Sequence, residues 1–115
     1  MIVKSGAFQH LKQLEKLEFL RITIKTIEKE GFKLNSSNDF PILKIEFSMC
    51  NLTGETFENG TFENGTFDGV SKPIEVTLLQ SNISYLSSGA FKTVLNNPKG
   101  VISFYNDDAP HSILN

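Results

Sequence analysis

The sequence predicts an α/β solenoid, with short parallel strands on a concave face and loops or short helices on the convex face. Two observations carry that expectation. Val76, Leu78, Ile83, Leu86 and Phe91 set out a series of apolar intervals, and Leu17, Phe19, Ile24, Ile27 and Phe32 reproduce them one for one. Gly6-Ala7-Phe8, followed by Leu11 and Leu14, is echoed by Gly89-Ala90-Phe91 followed by Leu95. Such intervals suit a chain that leaves a short strand, rounds a tight turn and descends, once per repeat. The 115 residues suffice for one domain that buries roughly two-thirds of its unfolded surface. We therefore expect a single domain over 1–115, with about three full repeats and a partial one at the N-terminus.

In chain order, the first residues read as the descending arm of a repeat whose strand is missing. The next repeat places Leu17 and Phe19 inward and leaves Ile22 in a turn position that favours polar residues. A slipped register on Leu20 and Ile22 is an alternative. So is an amphipathic helix through Phe8, Leu11, Leu14 and Leu17, but Ile22, Thr23, Ile24, Thr26 and Ile27 favour strand. Residues 33–41 have loop composition. A second strand follows with Ile45 and Phe47 inward, Cys50 at the turn and Leu52 beyond. The tandem ENGTFENGTF over 58–67 offers two phenylalanines for one place. Phe67 precedes Val76 by the interval that separates Phe8 from Leu17, so Phe67 is expected in the core and Phe62 on a convex bulge. The third repeat is the Val76–Phe91 stretch, with Ser81 at its turn. A last strand over 101–106 turns Ile102 and Phe104 inward, with Asp107 at the turn.

This pattern resembles the leucine-rich repeat superfamily, L-x-L-x-x-N/C-x-L, in which the turn residue supplies hydrogen bonds to backbone that has left the strand. The Gly-Ala-Phe element looks like the extracellular type. FPILKIEFSMCNLTG and VTLLQSNISYLSSGAF, with NPKGVISFYN, look most like arthropod secreted proteins named after the non-catalytic subunit of the shrimp (Oplophorus) luciferin 2-monooxygenase. That resemblance implies a solenoid that binds or supports another protein and does no chemistry. The chain departs from the extracellular members in showing neither a leader-like apolar segment after Met1 nor cysteine-rich caps, and it reads as a piece of a longer array.

Composition narrows the function classes. A net charge of −2 and a pI near 5.6 give no basic footprint for nucleic acid or anionic lipid. Apolar runs fall far short of the ~20 residues that span a bilayer, so membrane insertion by this chain is not expected. Cys50 is the single cysteine, which excludes an internal disulfide, and it reads as a buried thiol rather than a nucleophile because no motif places a histidine beside it. Gly60, Gly65 and Gly69 lack the lysine of a phosphate loop. Asp107, Asp108 and His111 lack the further ligands of a metal site. No catalytic residue, cofactor or metal is expected.

The expected binding residues project from the concave face, between and just after the inward positions. They are Glu18, Leu20 and Arg21; Glu46, Ser48 and Met49; Thr77, Leu79 and Gln80; and Ser103, Tyr105 and Asn106. Leu20, Ser48, Leu79 and Tyr105 should form one row across the sheet. An arginine, a methionine and a tyrosine on one surface suit a protein partner. Asn35, Asn51, Asn59, Asn64 and Asn82 each begin an N-x-S/T triplet, which makes them glycosylation candidates. The first expectation is thus an extracellular, non-enzymatic protein-binding module. The alternatives are a non-catalytic supporting subunit of a secreted oxygenase-like complex, or a truncated fragment without independent function.

Overall fold

The computed structural model describes residues 1–11, 13–34, 41–54, 60–86, 89–106 and 109–111. The chain is a parallel β-solenoid of about three turns. Its principal sheet has the order β10-β9-β7-β5-β2, where β2 is Lys16–Leu20, β5 Leu43–Ser48, β7 Ile74–Leu79, β9 Val101–Asn106 and β10 Ala109–His111. The four long strands run parallel, and only β10 is antiparallel, folded back on β9. A second sheet stacks β3 (Thr23–Ile24), β6 (Asn51–Leu52) and β8 (Asn82–Ile83); a third pairs β1 (Ile2–Val3) with β4 (Thr26–Ile27). Among the described residues the one helix is α1, Lys92–Asn96, so the α component shrinks to five residues.

The apolar intervals become rungs. Leu17, Ile45, Val76 and Ile102 pair strand to strand, as do Phe19, Phe47, Leu78 and Phe104. Ile24, Leu52 and Ile83 make the rung of the second sheet. Alternation puts these side chains inside, and Ile45, Phe47, Val76 and Leu78 are buried. Leu17 is half-buried because β2 is the last strand on its side. No helix runs through Phe8, Leu11 and Leu14; residues 5–10 form turns, and Leu11 is exposed.

Between the sheets, phenylalanines stack from coil to coil. Phe8 lies on Phe32 with ring centroids 6.1 Å apart and Phe32 on Phe67 at 5.5 Å, while Phe91 meets Phe67 at 5.7 Å with its ring tilted by 34°. The expectation for Phe62 fails here. It is 1% exposed, its backbone bridges Ile27, and its ring meets Phe47, Phe67 and Phe91. The reason is an interval of five. Val3 and Phe8, Ile27 and Phe32, Phe62 and Phe67, and Leu86 and Phe91 are spaced alike, so both phenylalanines of the duplication have core places. The extra chain of the second coil therefore lies ahead of Phe62. The threonines before these rings are used too: buried Thr66 donates its hydroxyl to Ile27 O (2.9 Å) or Glu63 O (2.7 Å).

Candidate functional site

The outer face of the principal sheet is built by the same alternation that fills the core. Leu20, Ser48, Leu79 and Tyr105 lie in one register row; Glu18, Glu46, Thr77 and Ser103 lie in the row before it. Adjacent members of a row are therefore about 4.8 Å apart along the stack. A hollow of about 390 Å³ opens among Ser48, Leu79, Gln80 and Tyr105. Leu20 and Tyr105 are exposed at its flanks, 51% and 37%.

The strands end in a repeated corner. Arg21, Met49 and Gln80 have φ of 55°, 53° and 48°, a left-handed conformation that costs a non-glycine residue about 1 kcal/mol or more. Backbone pairing continues through it: Arg21 N–H donates to Ser48 O (2.9 Å), Met49 to Leu79 O (2.8 Å) and Gln80 to Tyr105 O (2.8 Å). Just beyond, Ser81 Oγ accepts from Cys50 N–H and donates to Phe47 O, each at 3.0 Å. The buried Cys50 thiol donates to Phe19 O at 3.2 Å. Each polar corner side chain thus ties its own coil to the one before. Ile22, with no polar atom, is half-buried at the first corner.

Charge gathers at one end of the face. Lys16 Nζ lies 3.7 Å from a Glu46 oxygen and 3.9 Å from a Glu18 oxygen. The Glu46 carboxyl is held above its ordinary range, first by its hydrogen bond with the Glu18 carboxyl, then by burial, with Lys16 pulling the other way. Lys16 belongs to a further outer row, Lys16, Lys44, Glu75 and Val101. Sequence reasoning passed over that row, although a period of two continued one step towards the N-terminus selects it.

The described sequon asparagines Asn51, Asn64 and Asn82 are exposed. Asn51 and Asn82 are register partners on β6 and β8. Asn35, Asn59 and Asp107, and the side chain of Asn106, lie outside the described parts. Among the described residues no group of three or more acidic, histidine or cysteine side chains is arranged to hold a metal, and no helix is long and apolar enough to cross a membrane. Compared with family models, curated proteins and solved structures, the chain matches none.

Proposed function

We propose that the chain is a non-enzymatic protein-binding module of the leucine-rich repeat type, acting outside the cell and docking another protein on the outer, concave face of its principal sheet. The observation that carries the reading is the in-register row Leu20, Ser48, Leu79 and Tyr105 with its hollow. Aliphatic and aromatic groups around a recess, with charge at the margin, are what a protein anchor needs. The repeat type is supported by the corner hydrogen bonds of Cys50 and Ser81 and by the stacked phenylalanines. An extracellular setting is supported by the exposure of Asn51, Asn64 and Asn82, each ready to carry a glycan.

The test is a binding screen of the intact chain against an array of secreted proteins, repeated with Leu79→Asp and with the distant surface change Asn96→Ala. A partner is expected whose affinity falls about a hundredfold with Leu79→Asp, as for an interface hot spot, and holds with Asn96→Ala. Partners that bind Leu79→Asp as well as the native chain would overturn the reading.

A further inference from the structure

The three described sequon asparagines stand in different surroundings. Asn51 and Asn82 lie in the strands β6 and β8, whereas Asn64 lies in a turn over 63–66, closed by Thr66 N–H donating to Glu63 O at 3.0 Å. Asn64 also lines a second hollow, of about 210 Å³. Three coils build it. Lys29 comes from the first, Gly65 and Asp68 from the second, and Lys92 and Thr93 of α1 from the third. Beside it the first two coils are joined by backbone, with Glu30 N–H donating to Gly65 O (2.9 Å).

Two glycines keep the hollow open. Gly65 has φ of 86°, and a Cβ there would lie 3.0 Å from both Lys29 Cγ and Asp68 Oδ2. Gly89 has no left-handed backbone; a Cβ there would lie 3.2 Å from Asn64 Oδ1, so its absence gives the Asn64 amide room. The polar groups around that amide are mixed in sign. Asp68 Oδ1 accepts the Thr93 hydroxyl at 2.6 Å, and among the described residues neither Lys29 nor Lys92 joins an ion pair. A free anion would meet the Asp68 carboxylate, and a metal cation would meet two ammonium groups. A neutral ring bearing hydroxyl and amide groups can accept from the lysines and donate to the aspartate.

We propose that this hollow seats the first sugar, an N-acetylglucosamine, of a glycan carried on Asn64. The sequon Asn64-Gly65-Thr66 supplies the attachment point and the hollow supplies the seat. In the linkage step Asn64 Nδ2 bonds to the anomeric carbon of an oligosaccharide held on a lipid pyrophosphate. The bond from that carbon to pyrophosphate breaks, pyrophosphate leaves with its electron pair, and the amide loses one proton. Transfer acts on the unfolded chain, so the Thr66 hydroxyl, buried in the fold, is then free to take part. After folding, Lys29 and Lys92 donate to the sugar and Asp68 accepts from it, which ties the arms of three coils through one ring. The proposal rests on the extracellular setting given above and is independent of the docking face.

The experiment compares the full chain made in bacteria, without glycans, with the full chain secreted from a eukaryotic host behind a cleavable leader. An endoglycosidase trims the glycans of the second to one sugar each. Glycopeptide mass spectrometry should find that sugar on Asn64. Asn64→Gln should then lower the Tm of the sugar-bearing chain by about 4 °C, the shift that one net hydrogen bond gives a domain of this size. The bacterial chain should change by no more than about 1 °C, as for a surface substitution. Lys92→Ala, at an exposed site, should show the same contrast, and Asn82→Gln should show none. A bare Asn64 in a chain that carries sugar on Asn51 or Asn82 would overturn the proposal and leave the extracellular setting standing. A chain bare at every sequon would overturn the proposal and take away that setting's support as well. Equal losses of Tm with and without sugar, for Asn64→Gln and Lys92→Ala alike, would mean that the sugar hangs free in solvent, and the hollow would lose its occupant.

Discussion

The second and third coils reach the same core by different lengths of chain. From Ile83 to Leu86 the third coil advances three positions, as the first does from Ile24 to Ile27; from Leu52 to Phe62 the second advances ten. Both then descend by the same interval of five, to Phe67 and Phe91. The insertion leaves the strands on either side in register, since β5 pairs β7 over six residues and β6 pairs β8 over two. A solenoid fixes each rung against its neighbours, so extra chain between rungs adds only slowly growing closure entropy. The coils differ at the rung itself: Phe62 is buried among three rings, whereas Leu86 at the equivalent place is half-buried.

That comparison is broken most severely at Phe62. Phe62→Ala should cost about 3–5 kcal/mol, the range for removing a buried aromatic ring, read as a lower urea midpoint with unchanged slope. Phe62→Leu, which gives the second coil the residue of the third, should cost about 1–2 kcal/mol. Equal losses for the two would mean that Phe62 is not filling a rung. Next in size is Ser81→Ala. It leaves the Cys50 N–H without its acceptor at 3.0 Å and should cost about 1–2 kcal/mol; the same measurement on Ser71→Ala, an exposed site, should show almost nothing.

Smaller still is the effect of removing one copy of the duplication. Deleting residues 58–62 leaves Thr56-Phe57 joined to Glu63-Asn64-Gly65-Thr66-Phe67, so the five-residue interval between phenylalanines survives. Glu55 then falls where Gly60 has φ 64° and where a Cβ would lie 2.5 Å from Tyr85 O, so the shortened chain is made with Glu55→Gly as well, and it should unfold within about 1 kcal/mol of the native one. A loss as large as that of Phe62→Ala would show that the preceding segment holds the ring by contacts of its own.

The strand rungs were legible because their signal is local: a period of two, interrupted at a fixed distance, repeats at Leu17, Ile45, Val76 and Ile102. The outer row followed, since side chains between inward positions face outward. Phe62 was misplaced because the sequence contains two identical five-residue copies, and spacing to the next strand identifies one core ring without limiting the core to one. The interval of five, present also from Val3 to Phe8, held the correct answer. The charged group Lys16, Glu18 and Glu46 was not legible, because its members meet only where β2 and β5 pair.

The finest distinction between the coils lies on the outer face, where Glu46 in the second is register partner to Thr77 in the third. Glu46 binds its proton more tightly in the folded chain than its ordinary value of 4.5 implies, because the Glu18 carboxyl hydrogen-bonds it and burial penalises its charge. A carboxyl with a raised folded pKa adds stability that is complete below the unfolded pKa and disappears as pH rises through the folded one. Relative to Glu46→Gln, the native chain should therefore be best placed near pH 4 and lose ground as pH climbs past the ordinary value. At pH 7 the variant should equal or exceed it by a few tenths of a kcal/mol, the scale of a like-charge cross-strand pair. Urea midpoints at the two pH values decide the matter. A native chain that gained on the variant with rising pH would mean that Lys16 outweighs the Glu18 carboxyl, and the second coil would then carry no electrostatic penalty that the third avoids.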